Sequence, residues 1–136
     1  MAITKAETQV TWSASNSVSV TSGSNQTSDV VTLDATCFRA TIHLKADNST
    51  TPASDDQIYV WAMQSGGDPD GASTDEYDSV GGATLLAVLD TFAGDPYLTS
   101  VELPSCNDTL KIYVEGATAG TTNSITVSAT ITEQRA

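Results

Sequence analysis

The sequence predicts an all-β fold, an antiparallel β-sandwich of jelly-roll type with about eight or nine strands. Three observations carry that expectation. Apolar and polar residues alternate with period 2 along several segments. Turn-forming clusters recur at spacings of about ten residues. Ser and Thr make up more than a quarter of the 136 residues while Lys and Arg total 5, which favours strands and polar turns over amphipathic helices with paired charges.

Residues 1–8 are polar, lack a periodic apolar face and read as an N-terminal arm; residues 9–136 read as one sandwich domain, a length that buries a core without staples. From Gln9 the alternation begins, with Val10, Trp12 and Ala14 on one side and Thr11 and Ser13 on the other. Asn16 breaks it, Val18 and Val20 resume it, and Ser22-Gly23-Ser24-Asn25 supplies a turn. Asp29 to Leu33 is a short strand.

The clearest strand runs from Cys37 to Ala46, with Phe38, Ala40, Ile42, Leu44 and Ala46 facing the core and Arg39, Thr41, His43 and Lys45 facing outward as the one coherent positive stripe. After a polar loop, Gln57 to Gln64 is apolar on both faces, since Tyr59, Trp61 and Met63 match Ile58, Val60 and Ala62. Such a strand is expected to be covered on both sides. Its outer face lies either under a loop or the arm, or at an interface.

Ala83 to Phe92 suits a short helix through Leu85, Leu86, Val88 and Leu89, or a buried strand; strand is the favoured reading, with Gly94-Asp95-Pro96 turning into Tyr97 to Leu103. Pro104 stops that strand. Leu110, Ile112 and Val114 then alternate with Lys111, Tyr113 and Glu115, and Ile125, Val127, Ala129 and Ile131 alternate with four hydroxyl residues in the last strand.

The net charge is −12, from 17 acidic residues against five scattered cations. Phosphate neutralisation needs clustered Lys and Arg, so no nucleic-acid partner is expected, and an anionic membrane surface would repel the chain. The opening residues lack an apolar core of the kind leaders have, and no stretch approaches the length of a membrane span, so a soluble protein made in the cytosol is expected. Cys37 and Cys106 are too few for a disulfide framework and are expected as two buried small residues, a bridge between them being a question for geometry.

No catalytic constellation is present, and no enzyme is expected. His43 is the sole histidine, without a nucleophile motif, and reads as a surface residue. Asp68, Asp70, Asp75, Glu76 and Asp78 form an acidic loop, and Asp68-Pro69-Asp70-Gly71 alternates oxygen ligands with a glycine bend as hard cations prefer. It departs from an EF-hand loop in its later ligands. Calcium is thus the one cofactor to consider, against a solvated loop. The aromatic residues, Trp61 and Tyr59 among them, suit a core or an interface better than a sugar platform.

Several stretches together resemble small structural proteins of tailed bacteriophage virions: Trp12 to Val18, Lys45-Ala46-Asp47-Asn48 followed by Thr51-Pro52-Ala53-Ser54, Gly67 to Asp78, Leu89-Asp90-Thr91, and Asn123 to Ala129. The resemblance spans Trp12 to Ala129 and rests on structural rather than catalytic motifs. It implies a decoration or cement protein made in the host cytoplasm and carried on the capsid surface, with the major capsid protein as partner and a homo-oligomer as its state. On that reading the arm, through Ile3 and Lys5, and the outer face of Tyr59, Trp61 and Met63 are the contacts. The alternative is a tail or capsid-borne adhesion module that binds carbohydrate with calcium in the acidic loop.

Overall fold

The computed structural model describes residues 2–53, 56–67, 70–71, 76–106, 109–116 and 124–136. Ten strands fill it: β1 (Thr4–Gln9), β2 (Val18–Val20), β3 (Asn25–Thr27), β4 (Val31–Thr32), β5 (Cys37–Asn48), β6 (Gln57–Gln64), β7 (Thr84–Asp90), β8 (Tyr97–Glu102), β9 (Thr109–Gly116) and β10 (Ile125–Arg135). A 3-10 turn at Val80–Gly82 precedes β7. The ambiguous stretch around Leu85 to Leu89 is a strand, paired along β6.

The strands form two antiparallel five-stranded sheets, ordered β1-β10-β5-β8 with β2 also on β10, and β3-β9-β6-β7 with β4 also on β9. In each sheet two short strands share one position: β1 and β2 lie end to end along β10, and β3 and β4 along β9. Counting each such couple as one leaves eight positions, and apart from the β6–β7 hairpin successive positions alternate between the sheets, the jelly-roll pattern. That sharing is why ten strands occur where eight or nine are expected.

Alternation builds the core. Ile42, Leu44 and Ala46 from β5, Val127, Ala129 and Ile131 from β10, Ile58, Val60 and Ala62 from β6, and Ile112 and Val114 from β9 meet between the sheets with at most 3% exposure. Among the described residues this interior is packed with aliphatic side chains together with Trp12.

Three expectations are corrected. Residues 4–9 are not a loose arm but an edge strand, paired residue by residue with Arg135 to Thr130, because backbone hydrogen bonding to β10 does not require the apolar face the segment lacks. The predicted strand from Gln9 to Ala14 stops early: Val10 and Trp12 are buried, but Ser13 (φ 47°) and Ala14 (φ 66°) turn the chain and Ala14 is exposed. Phe38 is 52% exposed rather than in the core. The register of β5 against β10 shifts between Gln134 and Arg135, so Arg39 faces Gln134 while Cys37 faces Arg135, and the extra residue between them, Phe38, turns outward.

The registers gather at one end of the sandwich the starts of β1, β5, β7 and β9 and the finishes of β6, β8 and β10. Thr4 and Arg135 therefore lie there, with residues 64–67 and 76–78 of the acidic loop, the β4–β5 crossover and the end of β8.

Candidate functional site

β6 owes its two apolar faces to its place between β9 and β7. Ile58, Val60 and Ala62 point inward at 0% exposure, and Tyr59, Trp61 and Met63 point outward, half-buried. The outer set is buttressed by its neighbours rather than by the N-terminal segment, which belongs to the other sheet. Trp61 stands opposite Tyr113 of β9, with ring centroids 5.6 Å apart and planes at 56°, and Tyr59 lies 5.8 Å from Trp61 at 47°. Such tilted contacts suit aromatic packing.

On the other side of β6, Val88 faces Tyr59 and Leu85 faces Trp61, both exposed, at 39% and 52%. Met63 pairs with Lys111, whose Nζ sits 4.4 Å over the ring of Tyr77, a cation–π contact. The Tyr77 hydroxyl donates to Thr109 Oγ1 at 3.1 Å and so ties the acidic loop to β9. Burial, with Glu115 nearby, raises the pKa of Tyr113, which keeps the phenol neutral within this stripe. The result is an apolar band across the second sheet, bordered by the acidic loop.

Among the site residues expected from sequence, Tyr59, Trp61 and Met63 thus come together, joined by Tyr113, Leu85 and Val88. Tyr113 was legible only as an outward residue of an alternating strand. Ile3 (65% exposed) and Lys5 lie instead at the edge of the first sheet, so the two expected contacts occupy different layers.

The acidic loop leaves β6 as a narrow hairpin. Gly66 N–H donates to Glu76 O and Glu76 N–H to Gly67 O, both at 2.7 Å, and Gln64 pairs with Asp78. Asp78 is committed to this hairpin, since its Oδ2 accepts the Gln64 N–H at 3.0 Å. Asp70 and Glu76 are exposed, while Asp68 and Asp75 lie outside the described residues. Among the described residues no three acidic, histidine or cysteine side chains assemble into a metal-binding group.

The outer face of the first sheet is polar. His43 has Ser100 Oγ at 2.7 Å from Nδ1 and Thr132 Oγ1 at 3.0 Å from Nε2, so hydroxyls take both ring nitrogens. Arg39 pairs with Glu102 at 3.3 Å. Gln9, Asn16, His43, Lys45, Leu98 and Thr130 edge a shallow depression of about 370 Å³ at the gap between β1 and β2.

No protein-family model and no curated protein matches this chain. Among solved structures it is similar to the crystal structure of FLHE, with a TM-score of 0.42 and 10% identity over 98% of this chain and 96% of that one. It is also similar to the acid-stable capsid structure of Helicobacter pylori bacteriophage KHP30, with a TM-score of 0.37 and 14% identity over 96% and 93% of the two chains. A third similarity is to the structure of infectious bursal disease virus, Gx strain, with a TM-score of 0.37 and 15% identity; it covers 97% of this chain but 33% of that one. No helix among the described residues is long and apolar enough to cross a membrane.

Proposed function

We propose that the protein is a virion structural protein, a decoration or cement module that docks on the outer surface of a phage head and stabilises it. The apolar band of Tyr59, Trp61, Leu85 and Val88 on the outer face of the second sheet, backed by the buried Tyr113, is the observation that carries this reading. A jelly roll whose interior is filled acts through its surface, and fold alone does not choose among functions. The band supports this reading: it joins aromatic side chains to exposed aliphatic ones in the manner of a protein–protein interface core, with Glu115 opposite Tyr59 and Lys111 opposite Met63 at its margin. The resemblance of several sequence stretches to phage virion proteins favours the major capsid protein as partner and a multicopy arrangement on the shell.

The carbohydrate reading is weaker on geometry. Rings tilted at 47° and 56° to each other offer no flat platform for a sugar, and Tyr113 is 93% buried by its complement of 7% exposure.

Binding of the purified protein to shells stripped of decoration tests the proposal. Wild-type protein is expected to reoccupy the shells and raise their melting temperature. Trp61→Ala and Val88→Lys are expected to lose occupancy while keeping the β-sheet circular dichroism. Full occupancy by both variants, or a chelator-sensitive glycan interaction in place of shell binding, overturns it.

A further inference from the structure

The two cysteines lie near one another although they are 69 positions apart in the chain. β5 and β8 pair with Thr41 opposite Glu102, and Leu103 N–H extends the ladder by donating to Ala40 O at 2.9 Å. Cys37 lies three residues before Ala40 and Cys106 three residues after Leu103, so the antiparallel chains carry both toward the same end of the sheet. The β-bulge that turns Phe38 outward leaves Cys37 on the core side, and both cysteines pack half-buried against the core. The two thiols are close enough to influence one another, and Cys37 Sγ also lies 3.6 Å from Arg39 O.

We infer that Cys37 and Cys106 form a reversible redox staple, a dithiol in reducing solution and a disulfide in an oxidising medium. Cys37 begins β5 directly after the β4–β5 crossover, and Cys106 lies in the β8–β9 crossover. The bond therefore clamps both passages between the sheets at one end of the sandwich. The inference is independent of where the protein docks.

The oxidant is a small-molecule disulfide such as oxidised glutathione. The Cys106 thiolate attacks one sulfur of that disulfide, breaks its S–S bond and releases one glutathione thiolate. The Cys37 sulfur, losing its proton as it attacks, displaces the second glutathione from Cys106 and closes the protein disulfide. The two protons from the cysteines end on the two glutathione thiolates, so the protein loses two hydrogens and one glutathione disulfide becomes two thiols. This order follows from the environment of Cys37. Burial pushes its thiol up to about 12, and the hydrogen bond and charge of Cys106 and the charge of Glu133 add to the rise. Cys37 is a poor initiator but a well-placed resolving thiol.

The folded protein is incubated with oxidised glutathione or with dithiothreitol, then mapped by non-reducing peptide mass spectrometry and melted. The expected result is an intramolecular Cys37–Cys106 peptide in monomeric protein and a melting temperature higher by about 10 °C, reversed by dithiothreitol. Cys37→Ser and Cys106→Ser proteins are expected to show no melting difference between the two treatments. Should either variant fail to fold, the wild-type comparison decides alone. Persistent glutathione adducts, disulfide-linked dimers, unreacted thiols in the native protein, or a bridge that leaves the melting temperature unchanged overturns the inference.

Discussion

Glu133 accepts a hydrogen bond from the backbone N–H of Asp34 at 2.8 Å, 99 residues earlier in the chain, with a side chain that has no solvent exposure. The same carboxylate takes Arg135 Nη2 at 3.0 Å. It thereby joins the last strand to the β4–β5 crossover. Glu133→Ala leaves the Asp34 amide and the Arg135 guanidinium without this acceptor, and a loss of about 3–4 kcal/mol is expected in urea unfolding. Glu133→Gln keeps an acceptor but not the charge, and a smaller loss is expected.

A second buried polar contact holds the far end. Asn48 Nδ2 donates to Asp56 Oδ2 at 2.9 Å and to Thr91 Oγ1 at 3.2 Å, and Thr91 Oγ1 donates to Asp56 O at 3.0 Å. Thr91→Val keeps the shape and removes the hydroxyl. Thermal melting is expected to show a loss of about 1–2 kcal/mol, from the donor on Asn48 and the acceptor on Asp56 that lose this partner.

Gly116 ends β9 against the turn before β3, exchanging hydrogen bonds with Gly23 and Ser24. A Cβ at Gly116 would run into the backbone carbonyl of Thr21. Gly116→Ala is therefore expected to cost about 2 kcal/mol or more, read as a lower melting temperature, because the obstacle is main chain and cannot swing aside.

Asp29 pins the turn at Ser13 and Ala14, accepting from Thr11 Oγ1 at 2.7 Å, Ala14 N at 2.9 Å and Ser13 N at 3.2 Å. The Ala14 N–H foremost, then the Thr11 hydroxyl, hold its pKa below the ordinary 3.8 against the opposing effect of desolvation. Folding thus favours the carboxylate. The stabilisation is present above 3.8 and is lost as pH falls through the lowered value in the fold. Melting curves of wild type and Asp29→Asn are expected to differ at neutral pH and to converge in acid below that point. Asp34, held low by the Thr36 hydroxyl and then the Thr36 N–H, adds a second contribution of the same sign that both proteins share.

The outer band separates binding from stability. Trp61 is half-buried whereas Ile58, three residues before it, is fully buried. Trp61→Ala is expected to cost about 1–2 kcal/mol and Ile58→Ala about 3–4 kcal/mol. Shell occupancy is expected to follow the opposite order, lost in the first variant and retained by the folded fraction of the second.

Much of the architecture was readable because period-2 alternation survives wherever one face of a strand is buried; β5 from Ala40 onward and β10 show it plainly. It failed where main-chain geometry overrides the pattern. Phe38 is displaced by a bulge whose cause lies in the register with β10, a strand nearly a hundred residues away. Ser13 and Ala14 carry none of the usual markers of positive φ, and what holds them is the remote carboxylate of Asp29. Residues 4–9 show no apolar face because their pairing is made of backbone hydrogen bonds. Of the candidate site, the outward apolar residues of β6 were legible, while their union with Tyr113, Leu85 and Val88 depends on which strands flank β6. The approach of Cys37 to Cys106 depends likewise on β5 and β8 being neighbours.

β10 lies inside the first sheet, between β1 and β2 on one side and β5 on the other, yet it is the last strand made. As the chain is made, β6 with β7 and β5 with β8 have their partners before β10 does, whereas β1 and β2 wait for β10. A truncated chain that stops before Ile125 leaves the edge of β5 unpaired with β10. Arrival of β10, rather than any earlier step, is the event that closes this sheet edge.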